Sequence, residues 1–108
     1  FRSTTNQKLM ILDINRFTDI NNFYSHLVAD ELLKVIANFL TNLFKDNKAI
    51  TIYKLPIDEF AIVSNSNSIS SFEFIETCKS IINNIEYNPF IIGDNEIIVS
   101  ITGGISVV

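Results

Sequence analysis

Apolar residues recur along the chain with two different periods, and each change of period marks an element. Lys8 to Asp13 reads KLMILD, a continuous apolar run that ends in a carboxylate. Such a run predicts a central strand covered on both faces, with Asp13 emerging at its C-terminal end. A polar stretch follows. Leu32, Leu33, Val35, Ile36, Phe39, Leu40, Leu43 and Phe44 then recur at helical spacing. They predict an amphipathic helix of about five turns, with the cationic Lys45 suited to its C-terminus.

Beyond Asn47 the period shortens. Ile50, Ile52 and Leu55 alternate with Thr51 and Tyr53, as in a half-buried strand, and Phe60 to Val63 forms a second apolar strand. The gap is short enough to make the pair a hairpin with Pro56 to Asp58 at its tip. Ser64 to Ser71 is rich in Ser and Asn and reads as a solvated loop. Phe74, Ile75, Cys78, Ile81, Ile82 and Ile85 mark a second amphipathic helix, closed by Pro89. Phe90 to Ile92, a turn at Gly93-Asp94-Asn95, and Glu96 to Thr102 predict a second hairpin. Gly103-Gly104 interrupts before the apolar tail Ile105 to Val108.

The order is β-α-β-β-α-β with an extra hairpin strand. This α/β pattern predicts an α+β sandwich of the ferredoxin-like, split βαβ kind. Such a fold hosts many unrelated functions, so function has to be argued from a site.

Composition narrows the choice. With 108 residues, 47% of them hydrophobic, residues 1–108 suit one domain around one core. The chain begins at Phe1 with no basic-then-apolar leader, and reads as a piece of a longer, multidomain protein. No apolar run approaches the roughly 20 residues of a spanning helix, so any membrane anchor would lie outside this piece. The net charge is −4 and the basic residues are scattered singly, which argues against a nucleic-acid partner. The one cysteine, Cys78, fits a reducing cytoplasm.

Two places bring carboxylates to the sheet, Asp13 at the end of the first strand and Asp58-Glu59 in the hairpin. In a split βαβ sheet those elements are neighbours, so the carboxylates can converge. Mg²⁺ takes oxygen ligands, commonly one or two carboxylates plus substrate phosphates. The plainer alternative is that Asp13 closes a strand and Asp58-Glu59 is a polar turn.

The segment from Asp13 to Leu33 reads DINRFTDINNFYSHLVADELL. It resembles the pattern D-x-D-x-F-K-x-I-N-D-x-x-G-H-x-x-G-D-x-x-L of GGDEF domains, the diguanylate cyclase modules of bacterial signalling. Asp13, Phe17, Ile20, Asn21, His26, Asp30 and Leu33 are kept. The family hairpin R-x-G-G-D-E-F is similar to Lys54-Leu55-Pro56-Ile57-Asp58-Glu59-Phe60, and the strand T-x-S-I-G-I-A to Ser100 through Ser106, with Gly104 on the fixed glycine. Each stretch is weak alone, but together they span nearly the whole chain in order.

The resemblance implies a nucleotide cyclase palm-like fold and a set of roles. Asp13, the backbone carbonyl of Ile14 and Glu59 would hold Mg²⁺. Asp58 and Glu59 are the acidic pair that serves metal binding and activation of the ribose 3′-hydroxyl. Asn21 and Asp30 match the residues that recognise guanine, and an amide beside a carboxylate can read its donor and acceptor edge. Plainer readings make Asn21 a turn residue, Asp30 a charge at the positive end of the long helix and His26 structural.

The departures are as informative. Pro56 and Ile57 occupy the two glycine positions of the hairpin, where active members present bare backbone to phosphates. Proline has a fixed φ and no N–H, and isoleucine is β-branched, so the resemblance predicts a reshaped, partly blocked phosphate site. Asn15 replaces the second acidic residue, Thr18 the lysine, and Ser25 and Ala29 two further glycines. The family's inhibitory Arg-x-x-Asp is Asn47-Lys48-Ala49-Ile50 here. These losses point to a degenerate domain without cyclase activity, a regulatory, GTP-sensing or dimerisation module. Its neighbours would be an EAL phosphodiesterase or sensory domain. The alternatives are a working cyclase converting two GTP to cyclic di-GMP, or an unrelated ferredoxin-like binding module.

Overall fold

The computed structural model describes residues 7–64 and 69–107. Residues 65–68 of the expected polar loop, and Val108 of the expected tail, lie outside them. Strand β1 (Lys8–Ile14) is followed by helices α1 (Phe17–Tyr24) and α2 (His26–Leu43), the hairpin β2 (Ile50–Lys54) and β3 (Glu59–Ser64), and helix α3 (Ser71–Tyr87). Short strands β4 (Phe90–Ile92) and β5 (Asn95–Ile97) precede β6 (Ile101–Val107).

Four strands form one antiparallel sheet in the order β2-β3-β1-β6, and β4-β5 is a separate two-stranded ribbon. This is the split βαβ arrangement, with the predicted extra hairpin set outside the main sheet. One sheet face is closed by helices. Met10, Leu12 and Ile14 of β1 meet Phe60 and Ile62 of β3 there, under Leu32, Ile36 and Leu40 of α2 and Phe74, Cys78, Ile81 and Ile85 of α3. The ribbon joins this layer where the Phe39 and Phe90 rings meet edge to face, centroids 5.9 Å apart. β1 alternates between buried and half-buried residues, so only one of its faces is fully covered, in contrast to the two-faced burial its composition suggested.

Three expectations are corrected. The polar stretch after Asp13 contains α1, whose Phe17, Ile20 and Tyr24 pack half-buried against the core at helical spacing, a short stripe that the sequence reading passed over. α2 ends at Leu43 with Phe44 as its cap, so Lys45 falls beyond the helix and no basic residue occupies the last turn. Glu96 to Thr102 is not one strand: β5 ends at Ile97, and β6 runs straight through Gly103 and Gly104 paired with β1. A Cβ on Gly103 would stand 3.0 Å from Ile82 Cδ1, so glycine here admits α3 close to the sheet rather than breaking the strand.

Local chemistry fixes the helix ends. Ser70 accepts from the Glu73 N–H at 3.0 Å, and the Glu73 carboxylate accepts from the Ser70 N–H at 3.1 Å, a reciprocal cap that starts α3. Ser25 alone separates α1 from α2, and its hydroxyl accepts from the Val28 N–H at 3.2 Å. Among the described residues no helix is long and apolar enough to cross a membrane.

Candidate functional site

The register of the central strands brings the predicted carboxylates together. Asp13 on β1 lies opposite Glu59 on β3, and the Ile14 N–H donates to the Asp58 carbonyl at 3.2 Å. Cross-strand partners share a sheet face, so Asp13 and Glu59 project to the same side. The Asp58 carboxyl lies within hydrogen-bonding reach of Asp13. Burial, followed by the negative charge of Asp13, pushes the Asp58 pKa above the usual carboxylate value. Two carboxylates that repel each other suit a hard divalent cation supplemented by phosphate oxygens, while the Lys54 ammonium nearby pulls the Asp58 pKa partly back down. Among the described residues no group of three or more His, Cys, Asp or Glu could hold a metal alone.

The hairpin tip carries Pro56 and Ile57. Ile57 has φ +67°, so the tip keeps a left-handed residue although a β-branched side chain stands there. The ordering agents are local. Lys54 Nζ donates to the carbonyls of Leu55 and Ile57, the latter at 3.1 Å, and sits 5.4 Å from the centroid of the Phe60 ring. The Leu55 N–H donates to the Glu59 carbonyl at 2.9 Å and closes the turn. The Ile57 side chain escapes crowding by remaining 75% exposed. Pro56 offers no N–H at this tip.

The proposed base-reading residues come from two helices. Asn21 lies on α1 and Asp30 on α2, with His26 between them at the first position of α2. His26 Nδ1 is 3.2 Å from Asn21 Oδ1, and His26 Nε2 is 3.8 Å from Asp30 Oδ2. α2 begins at His26, which puts Asp30 beyond the first turn and removes a charge–dipole role as its main explanation. Ser25, on a family glycine position, has φ +128°, a second left-handed-side backbone kept without glycine.

Asn15 is tied to Ser100 and to Thr102, the latter directly opposite Asp13 in the sheet. Its Nδ2 donates to Ser100 Oγ at 3.0 Å, its Oδ1 accepts from Thr102 Oγ1 at 2.7 Å, and its backbone N–H donates to the Ser100 carbonyl at 2.8 Å. Glu86 of α3 completes the knot by accepting from the Ile101 N–H at 2.9 Å. Sequence reading missed this network because its members are up to 87 positions apart. A cleft of about 530 Å³ opens beside it, floored by Asn15 and Ser100 and walled by Ile20, Phe23, Tyr24 and Ile98. Neither the carboxylates nor Asn21 and Asp30 line that cleft.

Comparison with known proteins agrees with the geometry. The family described as "Diguanylate cyclase, GGDEF domain" matches residues 2–108. The chain is 32% identical over 102 residues to Signaling protein YkoW of Bacillus subtilis, covering 94% of this chain and 12% of that protein. It is 38% identical over 58 residues to Diguanylate cyclase DgcZ of Escherichia coli, covering 54% of this chain and 19% of that protein. The chain therefore spans a small part of these relatives. An X-ray structure of an EAL/GGDEF domain protein from M. capsulatus superposes with a TM-score of 0.84 at 26% identity, covering 98% of this chain and 66% of that one. An unrelated ferredoxin-like module is excluded by these matches.

Proposed function

The chain belongs to the GGDEF family of diguanylate cyclase domains, and from that premise we propose that it is a catalytically silent, GTP-sensing module of cyclic di-GMP signalling. Its output is regulation of a neighbouring domain in the longer protein, an EAL phosphodiesterase or a sensory domain, or pairing with a second copy. The observation that carries the reading is the hairpin tip, where Pro56 removes an amide donor and the Ile57 side chain stands out into solvent. A triphosphate approaching a Gly-Gly tip meets two N–H groups and no side chain. Here it meets a pyrrolidine ring and a butyl group.

The remaining residues support binding without turnover. Asn21 and Asp30 offer an amide and a carboxylate for guanine. Asp13, Asp58, Glu59 and the Ile14 carbonyl offer oxygens for Mg²⁺, which when bound neutralises phosphate charge. The occupied amide of Asn15 and the loss of a cation at Thr18 remove groups that would stabilise a developing phosphoryl charge. A ligand that binds one state of the full protein better than another shifts the neighbouring domain by that difference in affinity.

Calorimetry with GTP and Mg²⁺ tests binding, and pyrophosphate release with cyclic di-GMP detection tests turnover. The expected result is heat of binding that Asp30→Ala diminishes, with no product. Sustained product formation overturns the silent reading. The second reading, a working cyclase, is favoured by one specific observation, the left-handed backbone retained at Ile57.

A further inference from the structure

We infer that His26 is a positioning residue for purine recognition: its imidazole decides which end of the Asn21 amide faces an incoming base. The inference rests on the nucleotide-binding reading above and adds the device that would make that site choose guanine.

The geometry is a three-member chain across two helices. Asn21 Oδ1 lies 3.2 Å from His26 Nδ1, and Asp30 Oδ2 lies 3.8 Å from His26 Nε2. Asn21 Oδ1 faces the ring, and an amide oxygen only accepts, so this arrangement requires the Nδ1–H tautomer of His26. With its oxygen held there, the amide turns its –NH₂ group outward as a donor. The adjacent Asp30 carboxylate presents only acceptors. A donor next to an acceptor matches an edge that carries an acceptor next to a donor, which guanine has in O6 and N1–H. Adenine presents the reverse, an amino donor at C6 beside a bare N1. If Asn21 rotated freely, its oxygen would face outward part of the time, and two acceptors in a row would repel the guanine edge.

Several facts assign His26 this task rather than a role in folding. Its side chain is 79% exposed, so it contributes little to the core. It opens α2 immediately after Ser25, where the caps of both helices are made by Ser25 and not by the imidazole. Both ring nitrogens point at the two residues that the nucleotide reading needs.

The test measures affinity of the chain for GTP and for ATP, each with Mg²⁺, in four forms. His26→Phe keeps a ring and loses both nitrogens. His26→Asn places an amide donor where Nδ1 stands, and His26→Gln places one nearer to Nε2. The expected result is a GTP-over-ATP preference reduced about three- to tenfold in His26→Phe and His26→Gln, the worth of one oriented hydrogen bond. His26→Asn should keep the preference within about twofold of the unsubstituted chain, because it alone restores the donor to Asn21. Circular dichroism confirms that all four fold. An unchanged preference in His26→Phe, or a loss in His26→Asn equal to that in His26→Phe, overturns the inference. A long-range ¹⁵N spectrum of the imidazole supplies a readout without ligand: a protonated Nδ1 supports the assignment, and a bare Nδ1 overturns it. Failure of the unsubstituted chain to bind GTP at all would instead remove the nucleotide reading, and the inference with it.

Discussion

Replacing Ile57 by glycine should make the domain more stable, although it removes a large apolar side chain. A non-glycine residue in the left-handed region costs on the order of 1–3 kcal/mol, with β-branched side chains among the worst placed. Ile57 sits at φ +67° and so carries that cost. Two terms oppose the gain. Glycine gives the unfolded chain extra freedom, worth roughly 0.5–1 kcal/mol. The side chain is 75% exposed, so only about a quarter of an isoleucine's full burial energy, roughly 0.5 kcal/mol, is forfeited. The terms sum to between about −0.5 and +2 kcal/mol with a centre near +0.75, a midpoint rise of roughly 3–6 °C at that centre for a domain of this size. Urea and thermal unfolding of the chain, Ile57→Gly and Ile57→Ala give the reading. Alanine removes the branch and keeps the Cβ, so its gain should be the smaller one. A midpoint that falls in Ile57→Gly, or gains that are equal in the two variants, refutes the strain argument.

Ser25→Gly should be stabilising or neutral, since it relieves φ +128° and loses only a few tenths of a kcal/mol of capping; Ser25→Ala should cost about 1 kcal/mol, because it keeps the strain and loses the cap to Val28. Asp58→Asn should raise the urea midpoint at pH 7. A carboxyl with a raised folded-state pKa binds its proton more tightly folded than unfolded, so stability falls as pH rises through the window between the unfolded and folded values and is level above it. The advantage of the asparagine should therefore shrink as pH drops toward 4. Cys78 is fully buried, and burial pushes its thiol up to about 12, so a thiolate-directed reagent at pH 8 should label the chain only after unfolding. Restoring both glycines, Pro56→Gly with Ile57→Gly, should tighten GTP binding in calorimetry. No change in affinity would show that the tip does not meet the phosphates.

The fold was legible where a period could be read. The apolar stripe of α2 and the alternation in β2 each announce one buried face, whereas the run in β1 suggested two and only one is fully covered; the split βαβ order then places Asp13 beside Asp58 and Glu59. α1 was missed although Phe17, Ile20 and Tyr24 recur at helical spacing, because three half-buried residues among polar neighbours make a short stripe. Gly103-Gly104 looked like a break because glycine is poor in strands, whereas the reason for Gly103 lies in α3, where Ile82 comes close. The left-handed turn at Ile57 was not legible, because the Lys54 contacts with the Leu55 and Ile57 carbonyls are a property of the folded turn. Motif positions located Asn21 and Asp30 but gave no hint that an imidazole joins them, and nothing local could reveal that Asn15 is tied to Thr102.

Ser25 gives the domain an unusual kind of gauge. On the nucleotide-binding proposal, Asn21 and Asp30 would act like the two jaws of a calliper whose opening is set at one joint, because a single residue links α1 to α2. That joint is locked three times: its N–H donates to the Asn21 carbonyl, its carbonyl accepts from the Ala29 N–H, and its hydroxyl takes the Val28 N–H. Adding one residue there would swing everything after it by about 100° around the α2 axis and carry the second jaw out of reach. Length at this point in the chain is therefore as binding a constraint as the identity of either jaw.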